Sequence, residues 1–265
     1  MEPVLSNPQS DRVKKVRALH RRSSRQRAGL FLAEGPQAVR ELLRFRPETA
    51  QTVYAVADAD AELVELAAGR GVPVREVTDA VMTAMCEAQH PQGIAAVARP
   101  VDVPLQDALA GDGYVVVLTN VRDPGNAGTV IRGADAAGAR CVLVSDASVD
   151  IYNPKVVRST VGSLWHLPVS LGGSVEEIFA ACRSAGLRLL ATDGIGTQLL
   201  PDTDLATPHA WVMGNEAWGL EPEVRDACDE VVRVPIYGHA ESLNLAMAAT
   251  VCMYASAAAA HPKSR

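Results

Sequence analysis

The stretch Tyr114-Val115-Val116-Val117-Leu118-Thr119, running directly into Asn120-Val121-Arg122-Asp123-Pro124-Gly125-Asn126-Ala127-Gly128-Thr129-Val130-Ile131-Arg132, decides how the rest of the chain is read. Its first six residues are apolar without alternation and rich in β-branched side chains, the pattern of a strand buried on both faces of a parallel sheet. Pro124-Gly125 then forces a turn. Asn126 is a suitable N-cap for a helix starting near it, and the small residues Ala127 and Gly128 let another backbone or a ligand come close. Loops at the carboxyl ends of parallel strands are where open α/β sheets bind ligands. Arg132, six positions beyond Asn126, lies only about 9 Å further along the helix axis and so stays near that loop.

Working outward, apolar strands recur at Cys141–Ser145, Leu187–Thr192, Ala210–Met213 and Val231–Val234, separated by helical patterns that include Pro154–Ser163 and Val175–Arg183. Strand alternating with helix predicts a doubly wound parallel sheet. The last helix, about Ser242–Ala259, is apolar or small all round and must be buried in the domain or against a second copy of it. Upstream the elements are shorter. A cationic helix is followed by a helix opened by Gly35-Pro36, extended runs at Thr52–Ala57, Val72–Val77 and Gly93–Ala98, and helical runs at Ala61–Ala68 and Asp79–Ala88, which together make a small α/β unit. Arg99-Pro100-Val101-Asp102-Val103-Pro104 breaks both periodicities. The expected division is residues 1–99, a linker at 100–112, and a larger domain at 113–265.

Composition narrows the classes. With 265 residues, 48% of them hydrophobic, two cores are affordable. No apolar run reaches about eighteen residues and no secretory signal pattern opens the chain, so the cytoplasm is the expected location and no membrane partner is expected. Cys86, Cys141, Cys182, Cys228 and Cys252 are scattered, odd in number and never Cys-x-x-Cys, which argues against disulfides and a metal site and for buried thiols. A net charge of −6 does not suggest a nucleic-acid binder. The average hides an asymmetry, however: eleven cations between Asp11 and Arg46, among them Arg21, Arg22, Arg25 and Arg27, face only Asp11, Glu34 and Glu41. Such a run is either a solvated helix face or a phosphate-binding surface. The same choice applies to Lys155 and Arg158, which share a face of the helix opened by Pro154.

Two further segments carry chemistry. Trp211-Val212-Met213-Gly214-Asn215-Glu216-Ala217-Trp218-Gly219-Leu220 is a strand entering a tight turn. Its glycine spacing is not that of a dinucleotide fingerprint, which excludes a nicotinamide dehydrogenase. Glu216 there either accepts hydrogen bonds from turn amides or holds a reactant. Val234-Pro235-Ile236-Tyr237-Gly238-His239-Ala240-Glu241-Ser242-Leu243-Asn244-Leu245-Ala246 is a strand, a loop and the apolar helix, with Ser242 a natural N-cap. Asn244 needs a designated partner, because a buried amide without one costs roughly 1–3 kcal/mol. His239 has no acid/base or metal partner in sight.

In this order the three segments closely resemble the three signature motifs of the SpoU branch of the SPOUT RNA methyltransferases, the ribose 2′-O-methyltransferases. The resemblance covers about Gly113 to Ala259. Lys14–Glu41, with Phe31-Leu32-Ala33-Glu34-Gly35, looks more loosely like the substrate-binding domain of many members, which resembles a ribosomal-protein L30e-like fold. The resemblance implies a catalytic domain with a deep trefoil knot, an exception to the rule that chains avoid knots. It also implies a homodimer packed through knot-side helices, and S-adenosylmethionine held by Met213, Gly214, Val234, Ile236, Ser242 and Leu243. The substrate it implies is structured RNA, ribosomal (23S-type) rather than tRNA.

On the same ground the catalytic set would be Arg132, Asn126, Glu216, Ser242 and Asn244. In the family the arginine at the Arg132 position is regarded as activating the 2′-hydroxyl with help from an RNA phosphate. A guanidinium almost never gives up its proton, so the weighting favoured here has Arg132 orient hydroxyl and phosphate while the proton leaves by another route. Rival readings are a base-N methyltransferase of the same superfamily and a non-catalytic RNA-binding or assembly factor.

Overall fold

A computed structural model of the chain describes residues 3–261. Two compact units emerge: residues up to Val101 together with Asp150–His166, and Asp102–Val149 together with the chain from Leu167 onward. The first contains α1 (Asp11–Ala18), α2 (Arg22–Ala28), β1 (Phe31–Glu34), α3 (Pro36–Phe45), β2 (Ala50–Ala55), α4 (Ala61–Gly69), β3 (Val74–Glu76), α5 (Asp79–Met85) and β4 (Ile94–Ala98). The second opens with α6 (Leu105–Ala108), β5 (Val115–Leu118), α7 (Pro124–Ala136) and β6 (Cys141–Val144); α8 (Pro154–Thr160) then returns to the first unit. The second continues with β7 (Val169–Leu171), α9 (Val175–Ser184), β8 (Arg188–Thr192), β9 (Gln198–Leu199), β10 (His209–Met213), α10 (Pro222–Asp226), β11 (Glu230–Arg233) and α11 (Leu245–Ala260).

The first unit is built on a four-stranded sheet of order β1-β4-β2-β3, in which β4 runs antiparallel to both neighbours and β3 parallel to β2. Asp150–His166, expected in the catalytic domain, packs here. Tyr152 and Trp165 lie against Phe31, with ring centroids 4.6 and 6.3 Å away. The cationic run is two helices rather than one. The break at Leu19–Arg21 follows from Arg25, which is only 6% exposed and turns its guanidinium inward to the carbonyls of Leu19 and His20 and to Asp150 at 2.5 Å.

The second unit carries the expected parallel sheet. Seven strands in the order β7-β6-β5-β10-β8-β11-β9 are all parallel. Val115, Val117, Leu143, Leu189 and Val212 form an apolar face covered by Ile178, Phe179 and Cys182 of α9. Residues expected as a linker belong to this unit: Val103 and Leu105 pack on the same core, and Val103 N–H bonds to Val169 O. The helix α11 packs along α7, closely enough that a Cβ at Gly133 would lie 2.8 Å from Met253. Beneath it Ser256 Oγ bridges His209 Nε2 at 2.7 Å and Trp211 Nε1 at 2.8 Å. The apolar helix is nonetheless not buried all round, since Met247, Val251 and Tyr254 form an exposed stripe.

The sheet end that carries the site has unusual connectivity. Val232 pairs with Thr192 on one side and with Gln198 on the other, so residues 193–197 must cross β11. Gly196 sits on that crossing. A Cβ there would lie 2.6 Å from the Val231 carbonyl oxygen, which is why no side chain is tolerated.

Candidate active site

The carboxyl ends of β8, β10 and β11 open into a cavity of about 670 Å³, well within the 300–1,000 Å³ range of small-molecule sites. All six residues expected to hold the cofactor, Met213, Gly214, Val234, Ile236, Ser242 and Leu243, line it. Among the described residues, the backbone from Pro235 to Leu243 makes no hydrogen bond to another backbone group, leaving N–H and C=O groups free along one wall. Gly194 and Gly238 also face the cavity, with open space where a Cβ would project. The opposite wall is a rigid hairpin. Asn215 and Gly219 exchange two backbone hydrogen bonds of 2.7 and 3.0 Å, and Asn215 Nδ2 donates to Asn120 O at 2.8 Å. Gly214 is required beneath it, because a Cβ there would come within 2.4 Å of Gly219.

One chain of hydrogen bonds ties the three signature segments together. The Glu216 carboxylate accepts from the backbone N–H of Arg122 at 3.3 Å and of Asp123 at 3.1 Å, and from Asn126 Nδ2 at 3.2 Å. Asn126 Oδ1 accepts from Asn244 Nδ2 at 3.0 Å. Asn244 Oδ1 in turn accepts from Ala246 N at 2.9 Å and Met247 N at 3.4 Å at the start of α11. The ends force the middle: a carboxylate only accepts and backbone N–H groups only donate, so both amides can take just one orientation. Glu216 therefore holds turn amides, and Asn244 has a designated partner, although it is exposed at the start of α11 rather than buried as expected.

Two capping expectations are corrected by the same geometry. Asp123 rather than Asn126 caps α7, its Oδ1 accepting from Asn126 N at 2.8 Å, with Pro124 at the first helical position. Asn244 rather than Ser242 caps α11, so that helix begins at Leu245 and Ser242 is left in the cavity lining.

Arg132 stands apart. It is exposed on α7, outside the cavity lining, and its guanidinium has no hydrogen bond or ion pair among the described residues. Of the cations expected to meet RNA, Arg21, Arg22, Arg27 and Lys155 are exposed. Arg25 is not available, being buried on Asp150. Arg158 is committed to Glu34 at 2.9 Å and Glu87 at 2.7 Å, so its charge is already neutralised.

The thiols of Cys86, Cys141, Cys182 and Cys252 are buried and that of Cys228 partly so. Burial pushes Cys86 and Cys141 up to about 12, so none is poised as a nucleophile. Sequence reasoning missed Thr192, Asp193, Gly194, Leu199, Trp218 and Arg233 in the lining. All but Trp218, which stands on the hairpin after β10, lie at the ends of β8, β9 and β11 or on the crossing of residues 193–197, for which no local pattern exists. No helix among the described residues is long and apolar enough to cross a membrane.

The profile of the SpoU rRNA methylase family matches residues 113–254, and that of the MRM3-like substrate binding domain matches residues 10–96. The chain is 31% identical to the 23S rRNA (guanosine(2553)-2′-O)-methyltransferase RlmP of Bacillus subtilis, across 94% of this chain and 97% of that protein. Among solved structures it resembles the AdoMet-bound rRNA methyltransferase from Sinorhizobium meliloti, with 29% identity, 99% of each chain covered and a TM-score of 0.86. It also resembles the SpoU methyltransferase AviRb from Streptomyces viridochromogenes in complex with AdoMet, with 32% identity, 94% and 98% of the chains covered and a TM-score of 0.81.

Proposed function

We propose that this chain, which belongs to the SpoU rRNA methylase family, transfers a methyl group from S-adenosylmethionine to a ribose 2′-hydroxyl of ribosomal RNA. The observation that carries the reading is convergence: three segments far apart in sequence meet through Glu216, Asn126 and Asn244 beside one cavity.

The residues present fit the cofactor. Met213, Val234, Ile236 and Leu243 offer apolar walls, and the unpaired backbone from Pro235 to Leu243 offers donors and acceptors for a nucleoside and an amino-acid moiety. When bound, a sulfonium cofactor supplies an electrophilic methyl group and a good leaving group, so the protein's task is mainly alignment. Glu216 fixes the loop that precedes α7, and thereby the helix that carries Arg132. Asn244 locks the start of α11 to the same loop. Arg132, uncommitted among the described residues, orients the ribose hydroxyl and a neighbouring phosphate, while the hydroxyl proton leaves by another route.

Arg21, Arg22, Arg27 and Lys155 supply sequence-independent phosphate attraction. The exposed stripe Met247, Val251 and Tyr254 on α11 is the face through which two copies associate as a homodimer. The crossing at Gly196 belongs to a trefoil knot through which the third signature segment threads, and the enzyme acts in the cytoplasm. The test is methyl transfer from labelled S-adenosylmethionine to unmodified ribosomal RNA, with Arg132→Ala in parallel. Transfer by the wild type, lost in the variant at unchanged cofactor affinity, is expected. Retained transfer in the variant would remove Arg132 from its role, and cofactor binding without transfer to any RNA or ribosomal particle would favour an assembly factor.

A further inference from the structure

The chain has three tryptophans, and two are core: Trp165 and Trp211 are 1% and 0% exposed. Trp218 is 50% exposed and lines the rim of the cavity. It is rigidly presented, because it sits on the hairpin closed by Asn215 and Gly219, where Asn215 Oδ1 also accepts from Ala217 N at 2.8 Å. The Arg122 guanidinium lies over its ring, 5.6 Å from the centroid. That guanidinium has no ion pair or hydrogen bond among the described residues, while its own backbone is held by Glu216. Two fixed backbones thus present a half-exposed indole at the cavity rim with a guanidinium, free of ion pairs among the described residues, over its ring. Neither contributes to the core, and an exposed tryptophan gains little by stacking on a solvated arginine.

We propose that Trp218 and Arg122 form the platform on which an unpaired nucleobase of the RNA substrate stacks, Arg122 drawing in the adjacent phosphate. The inference rests on the methyltransferase reading and deepens it. Unpaired bases are read by stacking on aromatic rings and guanidinium planes, and the energy is tolerant of sequence because every base has a π-face. A base held on Trp218 brings its ribose to the cavity that Trp218 itself lines. Phosphate attraction is sequence-independent in the same way, and the pair therefore selects for a splayed, single-stranded nucleotide rather than for one base.

The experiment measures two affinities separately on the full chain: that of a fluorescently labelled single-stranded ribosomal RNA fragment by anisotropy, and that of S-adenosylmethionine by calorimetry. Trp218→Ala should weaken RNA binding about tenfold, the worth of one base–aromatic stack, while cofactor affinity stays within about twofold. Trp218→Phe should recover most of the loss, and Arg122→Gln should lower the slope of log affinity against log salt by about 0.7, one single-strand phosphate contact. Unchanged RNA affinity in Trp218→Ala would overturn the proposal. So would a loss of cofactor affinity equal to the loss for RNA, which would make the ring a wall of the cofactor site. A wild type that binds RNA through Trp218 yet transfers no methyl would refute the methyltransferase reading and leave the platform standing. A wild type that transfers methyl and is indifferent to Trp218 would do the reverse.

Discussion

Replacing Asn244 separates two functions of one side chain. Its Oδ1 caps α11 through Ala246 N and Met247 N, and its Nδ2 donates to Asn126 Oδ1. In Asn244→Ala both are lost. The cap is worth about 1 kcal/mol and a partly exposed amide–amide bond about 0.5–1 kcal/mol, so the cost is about 2 kcal/mol, or about 5 °C in Tm for a domain of this size. Asn244→Asp is the informative partner. Aspartate caps as well as asparagine and places a negative charge at a helix N-terminus, so the cap's share of the stability should return, leaving Tm about 2–3 °C below wild type for the lost bond to Asn126. It cannot donate to Asn126, however, and Asn126 cannot turn over because Glu216 accepts from its Nδ2. Two acceptors then face each other beside the loop that precedes α7, and turnover should fall about tenfold, the equivalent of about 1.4 kcal/mol. Differential scanning calorimetry together with methyl transfer reads both effects. An Asn244→Asp variant with full turnover, or an Asn244→Ala variant with unchanged Tm, would refute the reasoning.

Other outcomes follow from the same geometry. Gly214→Ala should abolish cofactor binding in calorimetry, since its Cβ would lie 2.4 Å from Gly219 and displace the hairpin; near-normal affinity would contradict this. His209 is held below the ordinary histidine range chiefly by burial, with Nδ1 donating to Thr207 O and Nε2 facing Ser256. The unfolded chain takes up that proton near pH 6.5 and the folded chain only at lower pH. Stability from this site is therefore full above about pH 7 and lost as the pH falls through 6.5 towards the folded value. The Tm difference between wild type and His209→Gln should shrink over that window. Arg21→Gln, Arg22→Gln or Arg27→Gln should each flatten the salt dependence of RNA binding with little change in Tm. Arg25→Gln should instead destabilise the fold by about 3–5 kcal/mol in chemical denaturation, because it leaves Asp150 unpaired.

What the sequence revealed depended on whether the cause was local. The strands at Val115–Leu118, Cys141–Val144 and His209–Met213 were legible to within a residue because burial on both faces leaves an uninterrupted apolar run. The cavity-lining set from Met213 to Leu243 was legible through resemblance. Where two groups competed for a cap, local rules failed: Asp123 won α7 because Pro124 occupies the first helical position, and Asn244 won α11 because its other end is held by Asn126. The strand β1 at Phe31–Glu34 and the placement of Asp150–His166 beside it were not legible, since Tyr152 and Trp165 find Phe31 only in the folded chain. Nor could the inward turn of Arg25 be read from a run of like charges, as its carboxylate partner lies 125 residues away. The two-residue strand Gln198–Leu199 exists only because the chain crosses β11 at Gly196.

The central claim is the chemistry of the product. The most direct test digests ribosomal RNA after incubation with the wild-type chain and labelled S-adenosylmethionine, and identifies the labelled nucleoside by chromatography and mass spectrometry. The account predicts label in a single 2′-O-methyl nucleoside. Label in a base-methylated nucleoside would contradict it and make the chain a base-N methyltransferase.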